Sequence, residues 1–165
     1  MAVWYEVGKT EEEANAFLRA NWEFHDFRQE RFSYVPGKDM VEVLYGYDNG
    51  RDGALLRFVG IRGMRVDPAV DYDADWIGGS ALVLPHATDG TTLLWLERDE
   101  RPAEDDLEER KSWTTTWVEA DRLFWAHTDG SGSPVEMPAE WIGDTAGMEF
   151  HGDWDSVLKP WYDRL

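Results

Sequence analysis

The sequence predicts an α+β protein: a twisted antiparallel sheet or partly open barrel of about six to eight strands, with a helix near each end. Three observations carry this. From Phe27 onward, runs rich in β-branched and aromatic residues alternate with Gly, Asn and Pro turn signals. The links between the first runs are too short for the crossovers that parallel pairing needs. Helix signals occur only towards the two ends. The 165 residues are the size of one domain, and no linker or internal repeat divides them.

The N-terminal helix starts at Thr10-Glu11-Glu12-Glu13, where Thr10 caps and Glu13 stands three residues later, the spacing of a capping box. The three acids also suit the positive end of the helix dipole. Ala14, Phe17 and Leu18 give an apolar stripe, and the helix is expected to end near Asn21.

Phe27 to Val35 is the first predicted strand, followed by the turn Pro36-Gly37-Lys38-Asp39. Met40 to Tyr47 is the second, with Val41, Val43, Tyr45 and Tyr47 on one face. After Asp48-Asn49-Gly50, a hairpin signal, Ala54 to Val59 is the third, continuing beyond a kink at Gly60 to Val66, with Gly63 marking a bulge. Gly79 to Leu84 and Thr91 to Glu97 are further strands. Leu93, Leu94, Trp95 and Leu96 are apolar on both faces, which predicts a central strand. Trp113 to Ala126 reads as one strand or a strand pair. Near the end, Trp154 to Tyr162 is a short helix with Trp154, Leu158 and Trp161 on one side, although Pro160 disturbs its interior.

Charge is the strongest global signal: 34 acids against 16 bases leave a formal net charge of −18. Such a field repels nucleic acid and anionic lipid and attracts cations and basic proteins. Acidity here does not mean disorder, because 10 Trp, 6 Tyr and 7 Phe call for a packed core or an aromatic binding surface. With 0 cysteines there is no disulfide framework and no cysteine nucleophile. No run reads as a signal peptide or membrane span, so the expected location is the cytoplasm.

Four constellations are candidates for function. In Trp22-Glu23-Phe24-His25-Asp26-Phe27-Arg28, His25 beside Asp26 has the composition of a proton-transfer pair. Inside a strand the two would point to opposite sides, so they cooperate only at a bend. The plainer reading is that they tie the helix to the strand through backbone bonds.

The run NWEFHDFRQERFSY, with VEVLYGYD, ALLRFVGIRGMRVD and DYDADWIGG after it, resembles a group of small uncharacterised bacterial proteins. These open their sheet with a Phe-His-Asp-aromatic-Arg motif and continue with an LLRF strand. The likeness covers roughly residues 20 to 80 and fades out to Phe124 and Trp125. A weaker resemblance extends to acidic toxin-immunity domains, which share a His-Asp near the first strand. The resemblance implies a bacterial protein and carries over no catalytic residue. An immunity role would suit the charge, since many toxins are basic nucleases.

The second constellation, Asp71, Asp73 and Asp75, has the alternation of a calcium loop's first half. Trp76 stands where such a loop needs Gly, and Leu82 where it needs Glu, so a solvated turn is expected instead. The third is the charge run Glu97 to Lys111, including Glu104, Asp105 and Asp106, which reads as a solvated loop or a docking surface. Its like charges four residues apart weaken a helix there. The fourth is the tryptophan set. Trp113, Trp117 and Trp125 share one parity with Leu123, but Glu119 and Asp121 share it too, which argues against one uniformly buried face.

The sequence has no phosphate-binding glycine loop, no Gly-x-Ser-x-Gly elbow, no His-Glu-x-x-His pair and no basic stripe. The expectation is therefore a non-enzymatic interaction module, immunity-like, that binds a basic protein and needs no cofactor. The alternatives are a metal-dependent hydrolase using His25, Asp26 and nearby carboxylates, and a carbohydrate-binding domain using its tryptophans.

Overall fold

Turn chemistry and alternation place the strands much where the sequence expects them. The computed structural model describes residues 3–25, 27–35, 37–47, 52–66, 82–85, 92–97, 111, 116–138 and 149–151. Within them the chain forms β1 (Trp4–Glu6), α1 (Glu11–Ala20), β2 (Phe27–Val35), β3 (Met40–Tyr47), β4 (Gly53–Val66), β5 (Leu82–Pro85), β6 (Leu93–Leu96), β7 (Thr116–Thr128) and β8 (Glu149–His151). The expected helix at 154–162 lies outside the described residues.

All the strand pairs are antiparallel, and the continuous path through the sheet is β2-β3-β4-β7-β1-β8. The ends of that path do not pair with each other among the described residues, so the sheet is open rather than a closed barrel. It also forks. One edge of β7 pairs with β4, while the other is shared: Trp117 to Ala120 pair with β6, and Phe124 to Ala126 pair with β1. β6 is held between β5 and β7, the central position that its apolar run predicts. β1 and β8 have three residues each, too few for alternation to show, and the sequence reading misses both.

α1 begins as predicted. Thr10 Oγ1 accepts from the Glu13 N–H at 3.2 Å, and Glu13 Oε2 accepts from the Thr10 N–H at 3.1 Å, closing the capping box. The helix buries Ala14, Phe17 and Leu18 against one face of the sheet, where Val41, Val43, Tyr45, Leu56, Phe58, Trp95, Leu123 and Trp125 join the main core. Burying rings of this size supplies much of the apolar area removed from water. A second, smaller cluster contains Trp4, Leu44, Leu55, Phe124 and Ala126.

Gly60 and Asp121 explain why parity misleads along β7. In β4 the main-core residues are Ala54, Leu56 and Phe58, but beyond Gly60 it is Ile61 that packs there. In β7 they are Val118 and Ala120, then Leu123 and Trp125. Both strands switch faces at the same level, where Gly60 adopts φ +74°. The register shift between Ile61 and Gly63 is the bulge expected at Gly63. Trp117 and Trp125 therefore share a parity without sharing an environment: Trp125 is wholly buried and Trp117 is half-buried.

Candidate functional site

The most deeply buried carboxylate in the described structure stands next to a strand end. Glu97 directly follows β6, is 3% exposed, and donates its backbone N–H to Thr116 O at 2.9 Å. Its Oε2 accepts the Tyr45 hydroxyl from β3 at 2.8 Å and Gln29 Nε2 from β2 at 3.3 Å. Trp95 Nε1 in turn donates to the Tyr45 oxygen at 3.2 Å. Indole, phenol and carboxylate thus form a directed chain of donors in the core. Burial pushes the Tyr45 phenol well above its usual 10.0, and the negative charge and hydrogen bond of Glu97 push it the same way. Tyr45 is consequently a fixed donor and not a base. Tyr45 and Trp95 are fully buried, so the cluster meets no substrate; it fastens β2, β3 and β6 together.

This corrects the reading of Glu97 as part of a solvated charge run. Two side chains from distant strands, Tyr45 and Gln29, supply its donors, and a local charge count cannot register them.

At one end of the sheet, a small cleft of about 20 Å³ is lined in part by Glu30, Tyr45, Asp52, Gly53 and Asp129. That is room for one water. Nearby, His127 is buried with Nε2 3.6 Å from Asp52 Oδ1. Burial pulls its pKa below the usual 6.5, while Asp52 opposes the shift. Asp129 Oδ1 accepts from Ser131 Oγ at 2.6 Å, from Ser131 N at 2.9 Å and from Ser133 N at 3.1 Å. These bonds hold its carboxyl below the ordinary value. Among the described residues no three His, Asp or Glu side chains converge in a way that would hold a metal.

The connection from α1 to β2 is an unusual piece of backbone. Trp22, Glu23 and Phe24 have φ of 50°, 56° and 57°, three successive non-glycine residues in the left-handed region. Such residues cost roughly 1–2 kcal/mol each. The turn is closed by Phe24 N to Asn21 O at 2.9 Å and His25 N to Trp22 O at 3.1 Å. Buried Asn21 secures its root by donating Nδ2 to Phe17 O at 3.1 Å. Phe24 anchors it, fully buried, with ring centroids 4.9 Å from Trp95, 5.1 Å from Phe27, 5.4 Å from Tyr45 and 5.5 Å from Phe17. Trp22, Glu23 and His25 are exposed.

His25 thus lies in the turn before β2 begins at Phe27, and it does not line the small cleft. Its candidate partner Asp26 lies outside the described residues, as do Asp71, Asp73, Asp75, Glu104, Asp105, Asp106 and Trp113. Trp117 carries Lys111 Nζ 4.4 Å from its ring centroid, and the same ammonium is 3.9 Å from Glu119 Oε2. One face of that indole is therefore covered by the chain's own cation, which opposes its use as a platform for a sugar.

Several of the sheet's arginines are spent within the molecule. Glu42 receives Arg31 at 2.7 Å and Arg57 at 2.8 Å, and Arg57 also lies 4.4 Å over the Trp4 ring. Arg122 grips both oxygens of Glu6 at 2.6 and 2.7 Å, and Arg62 meets Asp121 at 2.8 Å. Each pair neutralises a cation, so the excess of 34 acids over 16 bases falls on the remaining surface.

No family model, curated protein or solved structure matches this chain. Among the described residues no helix is long and apolar enough to cross a membrane.

Proposed function

We propose that the protein is a non-enzymatic interaction module that binds a basic protein through its acidic surface. The observation that carries this reading is the charge balance. A net charge of −18 is combined with arginines 31, 57, 62 and 122 already committed to carboxylates of the same chain. Exposed Glu11, Glu12 and Glu30 belong to the negative surface that remains. A field of this sign speeds encounter with a cationic partner and rejects polyanions. In the immunity-like form of the reading, the partner is a basic toxin held in an inactive complex.

The deepest ionisable cluster favours binding over catalysis. Tyr45 and Glu97 are closed off from solvent, and their hydrogen bonds serve strand connection.

The test is capture from the producing cell on immobilised protein, at about 50 mM and about 500 mM salt, where screening differs strongly. Any retained protein is then purified and titrated calorimetrically. A basic protein that binds saturably at low salt and is released at high salt is the expected result. Retention of no basic protein, or of one that fails to bind once purified, overturns the reading.

A further inference from the structure

We infer that the small cleft at the end of the sheet, lined in part by Glu30, Asp52, Thr128 and Asp129, receives the ammonium group of a lysine side chain from a basic partner. The inference rests on the proposed binding of a basic protein and names one group by which that protein is held.

Strand register builds the cleft. Gly46 of β3 pairs with Gly53 of β4, and Gly53 pairs with Thr128 of β7. Two adjacent glycines thus leave this stretch of the sheet bare of side chains. A Cβ on Gly53 would collide with the Tyr45 carbonyl oxygen and stand 3.0 Å from Thr128 Oγ1. A Cβ on Gly46 would stand 2.6 Å from Glu30 Cδ, so the Glu30 carboxylate lies over Gly46. The register shift between Gln29 and Arg31 leaves Glu30 opposite no residue of β3, and a bulge of this kind re-aims a side chain.

Two independent features point to a ligand. The first is a set of acceptors without cations. Among the described residues nothing pairs with the Glu30 carboxylate, and no lysine or arginine lines the cleft. Asp129 makes its loop bonds through Oδ1, which leaves Oδ2 to accept. Asp52 faces His127, and burial holds that imidazole below its usual 6.5, so at neutral pH it does not offset the carboxylate charge. The second feature is Thr128. It is 1% exposed, it lines the cleft, and its hydroxyl has no hydrogen-bond partner among the described residues. A buried hydroxyl left unmatched is costly, and an ammonium group brings three donors.

Size and charge select the occupant. The cleft holds about 20 Å³, room for one water. An ammonium is a compact point charge of that size, whereas guanidinium is a wider planar fork. Its hydrogen bonds to carboxylates are charge-assisted. A metal ion needs convergent ligands, and among the described residues no three acidic or imidazole groups supply them. The net charge of −18 disfavours a second copy of the same molecule as the donor.

The experiment uses the full chain and two short fluorescent peptides with blocked N-termini, one alternating Lys and Gly, the other Arg and Gly, titrated at low salt. General attraction to the acidic surface treats the two alike, so the cleft requires the lysine peptide to bind several-fold more tightly. Thr128→Val removes the hydroxyl and keeps the branched shape; it is expected to weaken the lysine peptide several-fold and to leave the arginine peptide unchanged. Glu30→Gln is compared with Glu12→Gln, an equal loss of charge at an exposed position of α1. The cleft requires Glu30→Gln to lower lysine-peptide affinity several-fold more than Glu12→Gln, and this comparison remains decisive if Thr128→Val does not fold. Equal affinity for the two peptides, equal losses for the two glutamine variants, or unchanged binding by a folded Thr128→Val overturns the lysine site and leaves the broader reading standing. Absence of any peptide binding by the unmodified protein also overturns the lysine site; the capture experiment separately judges the broader reading.

Discussion

The Tyr45 hydroxyl donates to Glu97 Oε2 at 2.8 Å inside a core where Tyr45 is fully buried and Glu97 is 3% exposed. A tyrosine that sequence alternation places on an apolar face thus serves as the donor that lets a carboxylate be buried. Replacing Tyr45 with Phe removes that donor and also leaves Trp95 Nε1 without its acceptor. The expected cost is about 2–3 kcal/mol, read as a lower denaturant midpoint. A midpoint unchanged within error would show that the cluster contributes nothing net to stability.

The same cluster sets the alkaline limb of stability. The Tyr45 phenol is raised above 10.0 in the folded state, so above pH 10 the unfolded chain loses this proton while the folded one keeps it. The contribution is complete below that pH and disappears as pH climbs through the folded-state value. Unfolding midpoints measured from pH 8 upward should fall beyond pH 10, and Tyr45→Phe should flatten the fall.

His127 acts on the acid side with the opposite sense. Its folded pKa lies below 6.5, so under acid conditions the unfolded chain takes up a proton first. Stability from this group is complete above pH 6.5 and declines as pH drops towards the folded value. A His127→Gln variant should show a shallower loss of stability just below pH 6.5, measured by denaturant titration at half-unit steps.

Gly60 is a position where a methyl group should be poorly tolerated. At φ +74° a Cβ would be strained in any case, and it would stand 2.9 Å from the Asp121 Cβ and in collision with its carboxylate. Gly60→Ala should therefore cost about 2–4 kcal/mol, combining a left-handed penalty with overpacking. Adding Asp121→Gly should return part of this loss, a coupling that a double-mutant cycle measures.

Arg122 holds Glu6 by two parallel bonds while its guanidinium lies 4.7 Å over Phe124. Arg122→Lys keeps the charge but neither the fork nor the plane, so about 1 kcal/mol should be lost. Thermal melts at low and high salt check this. A loss that vanishes with salt would assign the whole effect to simple charge attraction.

Local chemistry made the strands legible. Turn residues bracketed β2 and β3, and the capping box at Thr10 and Glu13 marked the start of α1. Parity failed along β7, because the Gly60–Asp121 level reverses both strands together and an alternation count assumes no reversal. Glu97 was read by its acidic neighbours in sequence, whereas its environment is set by Gln29 and Tyr45, 68 and 52 residues away. The 22–28 motif did draw notice for His25 and Asp26. What distinguishes the segment is its backbone, and handedness is invisible in a string of Trp, Glu and Phe.

The forked edge of β7 imposes an order on the molecule's birth. Trp4 to Glu6 are synthesised well before their partners, Phe124 to Ala126 and Glu149 to His151. β1 must wait until residues 124–126 and 149–151 have emerged from the ribosome, while the β2-β3-β4 hairpins are free to form earlier. Addition of β1 to the sheet is thereby a late, long-range event with a large loop-entropy cost. A chain truncated before residue 124 would leave that first strand with neither of its sheet neighbours.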